Sequence, residues 1–522
     1  MTRLSYIYSA QVTGLKTRNI TIEVDLFRGV HSFSVVGLPD KAVEESRDRV
    51  SSAIKSAGFT SPKSKGQQKV VVSLSPADLK KEGPLFDLPI ALGYLLATGE
   101  ICFEPQNRLF VGELSLGGSL LPIKGALLIA QKAKEAGFTE LYLPSINAPE
   151  AALVSGICVY GAESLREVVE HINEGKKENE KSSIKIKQQE HTKVVSTQPS
   201  YATSFGDIKG QEAAKRGLEI AAAGGHNIAF YGPPGSGKTL LARALISILP
   251  PLSFEEGLEV TGIHSVRGIL DDVFIATPPF RSPHHTASYT SVVGGGSYPQ
   301  PGEATLAHNG VLFLDEFPEF DRRVIESLRE PLEEHVIAIS RAKGSEIFPA
   351  RFILVAAFNP CPCGYYGDTL RACTCLPTQL IKYQRKISGP IIDRIDMWIE
   401  VSRIDNKELS QSVSHKHLLG EDMETKTMRR RVAKAREEQS RRFSKKDFSL
   451  NAEMRVRDLK YVILRDETKQ ILDEAAKKLD LSARAYHRSL KLARTIADIE
   501  GCEQILPQHI LEAMQYRPKK SL

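Results

Sequence analysis

The chain has 522 residues, 41% of them hydrophobic, with a formal net charge of +6, so it exceeds one ordinary domain and sets an expectation of about three folding units. No apolar run reaches the about eighteen residues of a membrane helix, because Leu88 to Ala97 is interrupted by Pro89 and Gly93; no membrane partner is expected. The opening MTRLSYIYSAQ lacks the apolar core of a signal peptide, so a cytoplasmic location is expected, and seven cysteines are too few for a disulfide scaffold.

Residues Ile20 to Leu26 alternate apolar and polar as a half-buried strand does, and Phe33 to Leu38 is a second apolar run closed by Pro39 and Asp40. From Lys41 a helix is predicted, with Val43, Val50, Ala53, Ile54 and Ala57 on one face and Gly58 to stop it. Strand-like Val70 to Leu74, helical Leu88 to Ala97, strand-like Arg108 to Val111, helical Lys124 to Ala136 and strand-like Leu141 to Leu143 continue the alternation. A mixed α/β domain over 1–172 is therefore expected. Residues 173–204, rich in Lys, Glu, Gln and Ser, have too few large apolar side chains for a core and read as a polar linker.

The next unit, 205–404, opens with apolar, β-prone Ile228 to Tyr231, then GPPGSGKT from Gly232 to Thr239, then a helical run to Ile248. Strand, glycine-rich loop and helix in that order make a phosphate cradle. Gly232, Gly235 and Gly237 let the backbone close on the phosphates, with Pro233, Pro234 and Ser236 completing the loop. Lys238 supplies charge to the β and γ phosphates and Thr239 a hydroxyl to Mg²⁺, so ATP and Mg²⁺ are the expected cofactors. Val311 to Leu314 is an apolar strand that delivers Asp315 and Glu316 at its end. Asp315 suits the Mg²⁺ shell, and Glu316 the activation of the attacking water. Phe352 to Phe358 ends at Asn359, whose amide suits the water or the γ-phosphate and equally suits capping a turn.

Between those strands, Val336 to Ile339 and Glu346 to Phe348 flank Ser340 to Ser345 as a hairpin with a basic tip at Arg341 and Lys343. Such a tip is either a nucleic-acid contact or a solvated turn. The stretch from Gly262 to Gly302, with Arg281, His284, His285 and three successive glycines, reads as an insert; the paired histidines lack a third ligand of known metal spacing. Cys361, Cys363, Cys373 and Cys375 form two close pairs that could converge on one Zn²⁺, although the one-residue spacing is tighter than is usual. From 405 to 522 the pattern turns helical. Arg429, Arg430, Arg431, Lys434, Arg436, Arg441, Arg442, Lys445 and Lys446 make a basic block interrupted by Glu437 and Glu438, open to nucleic acid or to subunit pairing.

These features, with GPIIDR at Gly389 to Arg394, resemble the AAA+ superfamily and its magnesium-chelatase-like branch. VGLPD at Val36, ESRDRV at Glu45, FRSPHH at Phe280, SLREPLEE at Ser327 and SARAYHR at Ser482 narrow the resemblance to the YifB/ComM family over nearly the whole chain. The resemblance implies an α/β fold: a P-loop core with a parallel sheet, a C-terminal helical lid and a homo-oligomeric ring, usually a hexamer. It implies that Arg394 reaches into a neighbour's site and that Arg484 senses the γ-phosphate in cis. It also implies that the hairpin and the 262–302 insert face a ring pore, where Arg341 and Lys343 would track DNA. The first domain resembles the proteolytic domain of the Lon family at Glu82-Gly83-Pro84 and Gly112-Glu113-Leu114, but the nucleophile position holds Leu85 and the lysine position Leu127, with Lys124 three residues away. A hydrocarbon cannot attack a peptide bond, so proteolysis is not expected. The implied function is an ATP-driven motor acting on DNA, as in branch migration; the alternative is a chelatase-type ATPase that remodels a protein.

Overall fold

The computed structural model describes residues 4–64, 68–173, 185–194, 203–296, 299–341, 344–368, 371–403, 422–462 and 464–518. The chain divides into two compact units, residues 1–196 with 261–275 and residues 197–260 with 276–522.

The first unit is built on a seven-stranded mixed sheet. Strands β1 (Leu4–Thr13), β2 (Lys16–Arg28) and β4 (Gln68–Ser75) pair antiparallel, and β3 (Ser32–Val36) lies parallel to β4 at one edge. On the other side β5 (Arg108–Phe110), β6 (Glu140–Pro144) and β7 (Cys158–Ala162) run parallel, giving the order β3-β4-β2-β1-β5-β6-β7. Period two turns Ile20, Ile22, Val24 and Leu26 to the buried face of β2. Helix α1 (Lys41–Ser56) starts where the Asp40 carboxylate accepts from Val43 N at 2.9 Å. Its Arg49 donates through Nε to Asp87 Oδ2 at 2.7 Å and through Nη2 to Oδ1 at 3.1 Å, with Asp87 wholly buried at the start of α2 (Asp87–Thr98). A buried carboxylate is stabilised by such a fork, which gives the second arginine of ESRDRV, Arg49, a structural task.

Two segments depart from the sequence reading. The stretch 173–204 was expected to lack a core, yet within it residues 185–194 lie on the first unit: Ile186 is buried in its core, and Thr192 Oγ1 donates to Pro149 O at 2.6 Å. The start of the 262–302 insert also belongs to this unit, at the end of helix Phe254–Arg267. Ser265 Oγ donates to Glu150 Oε1 at 2.5 Å and accepts from Gly125 N at 2.9 Å, while Leu127 N donates to the same carboxylate at 2.8 Å. Leu127 is fully buried, and Leu85 sits in a short 3₁₀ turn whose carbonyl accepts from Gly112 N at 3.0 Å.

The second unit holds a five-stranded, all-parallel sheet in the order β9-β10-β13-β8-β14: β8 (Ile228–Tyr231), β9 (Phe280–Arg281), β10 (Gly310–Leu314), β13 (Phe352–Phe358) and β14 (Met397–Glu400). The hairpin strands β11 (Val336–Arg341) and β12 (Gly344–Pro349) stand apart as an antiparallel pair. Every residue of β8, β10 and β13 is buried, as expected of parallel strands covered on both faces. After α3 (Ala126–Glu135) and α4 (Leu165–Ile172) of the first unit, helices α5 (Glu212–Gly224) and α6 (Lys238–Ile248), followed by α7 (Phe254–Arg267), come before C-terminal α8 (Met423–Arg442), α9 (Asp466–Leu479), α10 (Ala483–Ile499) and α11 (Pro507–Gln515); α5 packs on α8 and α10, α6 on α8, and α11 on α9 and α10. Phe230, Leu241, Val355, Met397, Val432, Leu472, Ile496 and Ile510 belong to one buried cluster. The helical region therefore shares the core of the nucleotide-binding sheet, where a separate third unit had been expected.

The basic block on α8 is largely engaged inside this unit. Arg429 donates to Ser247 O at 2.8 Å, Arg436 to Ala222 O at 2.8 Å, Arg431 pairs with Glu219 at 2.6 Å and Arg442 with Asp498 at 2.6 Å. Arg441 pairs with Glu437 and Glu438. Those contacts bind α8 to helices α5, α6 and α10 of its own unit, which removes most of the block from the nucleic-acid reading.

Candidate nucleotide site

Three adjacent strands, β10, β13 and β8, deliver their carboxyl ends to one place, the crevice where open α/β sheets bind ligands. After β8 the chain turns through Gly232, whose N donates to Phe358 O at 3.3 Å and where a Cβ would run into the Val401 carbonyl. Gly235 and Gly237 have φ of 77° and 90°, left-handed values that glycine adopts without penalty. Gly237 then leads into α6, which starts at Lys238. The loop's backbone donors and the helix N-terminus together suit an anion.

Lys238 turns back under the loop. Its Nζ donates to Gly232 O at 2.8 Å, Pro233 O at 2.9 Å, the Ser236 hydroxyl at 3.4 Å and Asn359 Oδ1 at 3.2 Å. Asn359, at the end of β13, is thereby joined to the loop. Burial pushes the Lys238 ammonium down to about 8, and Asp315 pulls weakly the other way. Thr239 Oγ1 donates to Asp315 Oδ2 at 2.9 Å. These two hard oxygens fit the donor preference of Mg²⁺. Asp315 Oδ1 accepts from Glu316 N at 2.9 Å, and Glu316 itself has φ of 53°. That turn sets its side chain, 56% exposed, with Oε2 2.9 Å from His285 Nδ1.

His285 is the residue that sequence reasoning missed. The paired histidines were considered for metal, but His284 and His285 stack at 4.2 Å between ring centroids and one of them faces the carboxylate expected to activate water. The 262–302 stretch thus has three destinations: residues to 275 join the first unit, Phe280–Arg281 forms the edge strand β9, and His285 meets Glu316.

The two arginines meet elsewhere. Arg394, only 5% exposed, donates through Nη1 to Pro390 O at 2.7 Å and through Nε to Arg329 O at 3.2 Å, and its Nη2 lies 2.6 Å from Glu333 Oε2. Arg484 Nη1 lies 3.4 Å from the other oxygen of the same carboxylate. A finger projecting toward a neighbour is thus not the conformation found; Arg394 is folded in against Glu333. Arg341 closes the hairpin in register with Gly344, and Lys343 lies outside the described residues. The four cysteines do converge, with sulfur atoms all within 4.8 Å of one another.

A parallel α/β sheet with a phosphate loop, an acidic pair on the second neighbouring strand and an amide on the strand between defines a P-loop ATPase of the AAA+ class. Family models agree: "Magnesium chelatase, subunit ChlI" matches residues 204–409, "Subunit ChlI of Mg-chelatase" residues 22–147, and "Magnesium chelatase, subunit ChlI C-terminal" residues 422–517. The chain is 43% identical over 520 residues to the competence protein ComM of Haemophilus influenzae, covering 98% of this chain and 97% of that one. It is 42% identical over 517 residues to the uncharacterized protein YifB of Salmonella typhimurium, with 98% and 97% covered. A shorter match, 32% over 151 residues and 27% of each chain, relates it to Lon protease 2 of Bacillus subtilis. The chain belongs to the YifB/ComM family of magnesium-chelatase-like AAA+ ATPases. Among the described residues no helix is long and apolar enough to cross a membrane.

Proposed function

We propose that this ATPase works as a homo-oligomeric ring, a hexamer, that uses ATP and Mg²⁺ to move on or remodel DNA, as in branch migration. The observation that carries the ATP half is the convergence of Lys238 with Asn359 and of Thr239 with Asp315 at the ends of three neighbouring strands. In this reading the loop and Lys238 hold the phosphates, Thr239 and Asp315 hold Mg²⁺, and Glu316 takes the proton of the attacking water. Mg²⁺ would supply charge neutralisation of the β and γ phosphates. Asn359 orients the water or the γ-phosphate, Arg394 serves the neighbouring subunit, and Arg484 senses the nucleotide. Zn²⁺ at Cys361, Cys363, Cys373 and Cys375 belongs to the same reading. The first domain, with Leu85 and Leu127 where the Lon family needs a nucleophile and a base, serves assembly or substrate contact.

The DNA half rests on similarity to a competence protein and on the β11–β12 hairpin, whose apolar residues Ile337, Ile339 and Phe348 are buried and whose sequence carries Arg341 and Lys343. The chelatase descriptions favour the second reading, a protein-remodelling ATPase. Steady-state hydrolysis with single-stranded, duplex and forked DNA separates them, with Glu316→Gln as the blank. Stimulation of several-fold that fades as salt rises is the expected result, since phosphate contacts release counterions. Turnover indifferent to every DNA would leave the protein-remodelling alternative standing.

Burial of Lys238 adds a pH prediction. With its ammonium pushed down to about 8 by burial, the lysine is charged below that pH and increasingly neutral above it. A bound triphosphate favours the charged form, so nucleotide affinity should be level below about pH 8 and fall above it, with proton uptake on binding. Calorimetry of a non-hydrolysable ATP analogue in buffers of different ionisation enthalpy reads that uptake, and a heat independent of buffer at pH 9 would contradict the assignment.

A further inference from the structure

Cys361, Cys363, Cys373 and Cys375 come from two Cys-X-Cys pairs, yet their sulfurs make one cluster. Cys361 Sγ lies 3.3 Å from Cys363 Sγ and 3.7 Å from Cys373 Sγ, and Cys363 and Cys373 are 3.5 Å apart. A tetrahedral zinc with bonds of about 2.3 Å spaces its four sulfurs about 3.8 Å apart, whereas a disulfide needs about 2.05 Å. A zinc held by four thiolates carries a net charge of about −2, and two arginines gather on the Tyr365 ring between the pairs. Arg371, on the connection between the pairs, lies over the Tyr365 ring at 4.8 Å and donates to its hydroxyl at 2.8 Å; Arg403 lies 5.3 Å from the same ring.

The cluster also touches the phosphate loop. Gly364, with φ of 86°, lies so close to Pro234 that a Cβ would be 2.7 Å and 2.8 Å from its ring carbons. Gly364 N donates to Cys361 O at 3.0 Å. Two residues before Cys361 stands Asn359, whose carbonyl accepts from the Tyr383 hydroxyl at 3.1 Å and whose side chain meets Lys238.

We propose that the four cysteines bind one Zn²⁺ and that this ion is a positioning element of the nucleotide site, seating Gly364 against Pro234 and holding Asn359 at Lys238. The second half rests on the reading of that site as the place of ATP hydrolysis. The ion takes no part in the chemistry; through Gly364 at Pro234 and Asn359 at Lys238, the phosphate loop and the amide share one anchor.

The test uses the full chain purified from zinc-supplemented medium. Elemental analysis should find one Zn²⁺ per chain, and Co²⁺ exchanged for it should give the visible spectrum of a tetrahedral thiolate site. Cys363→Ser with Cys373→Ser should lose the metal and about tenfold to hundredfold in ATP turnover. Gly364→Ala keeps all four ligands, so it should retain the metal and still lose turnover, with unchanged circular dichroism. Zinc well below one per chain with four titratable thiols, or with disulfides, overturns the metal site. Bound zinc with normal turnover in both variants overturns the positioning role. A wild-type chain that binds zinc and hydrolyses no ATP would confirm the metal and overturn the ATP reading instead; its positioning role is then read from analogue affinity, which Gly364→Ala should weaken and which, unchanged, overturns that role.

Discussion

Glu316→Gln should bind ATP with near-normal affinity and lose about a hundredfold to ten-thousandfold in turnover, the range in which a positioned general base contributes. The substitution preserves length and hydrogen-bonding reach while removing the proton acceptor. It acts at a side chain that is more than half exposed and packs into no core, so folding should survive. The phosphate loop, Lys238 and the Thr239–Asp315 pair are untouched, and they are the groups assigned to binding. Affinity for a fluorescent ATP analogue and single-turnover hydrolysis separate the two effects. Normal turnover would remove Glu316 from its role; lost binding would mean that the residue shapes the cradle.

Much of this arrangement was legible in the sequence because each part obeys a local rule. Continuous apolar runs gave β8, β10 and β13, and the polar residues that ended them gave Lys238, Asp315, Glu316 and Asn359. The cysteine pairs were visible as pairs. What sequence could not supply was long-range partnership. Nothing local to residues 261–275 says that Ser265 seals the Glu150 carboxylate of the first unit, and nothing local to α8 says that its arginines are spent on Ser247, Glu219 and Asp498. A run of positive charge looks the same whether its partners are phosphates or carboxylates distant in sequence. The motif arginine Arg488 is a similar case: it donates to Asp396 Oδ1 at 3.0 Å, tying α10 to the sheet beside the Asn227 N to Asp396 Oδ2 bond of 2.9 Å.

Arg394→Ala should leave nucleotide binding intact and cost about a thousandfold or more in turnover, the usual loss for an arginine that stabilises charge on a transferring phosphoryl group. The structure makes this prediction contestable. Arg394 is folded inward on Glu333, which also holds Arg484, so a structural ion pair would explain its burial without any role in catalysis. The two accounts part in mixed rings. Lys238→Ala chains retain Arg394 but lack a working site, whereas Arg394→Ala chains retain the site but lack the arginine. If Arg394 acts across the subunit boundary, two inactive preparations should recover activity on mixing, because some intact sites then face an intact arginine. Glu333 supplies the control: Glu333→Gln removes the same ion pair while keeping both arginines, so a purely structural role predicts that it matches Arg394→Ala in lost thermal stability and lost turnover. A trans role predicts that Glu333→Gln keeps most of its turnover, since its arginine is released toward the neighbour's phosphate. Failure to complement at every mixing ratio, with Glu333→Gln as impaired as Arg394→Ala, would return Arg394 to the framework of its own chain.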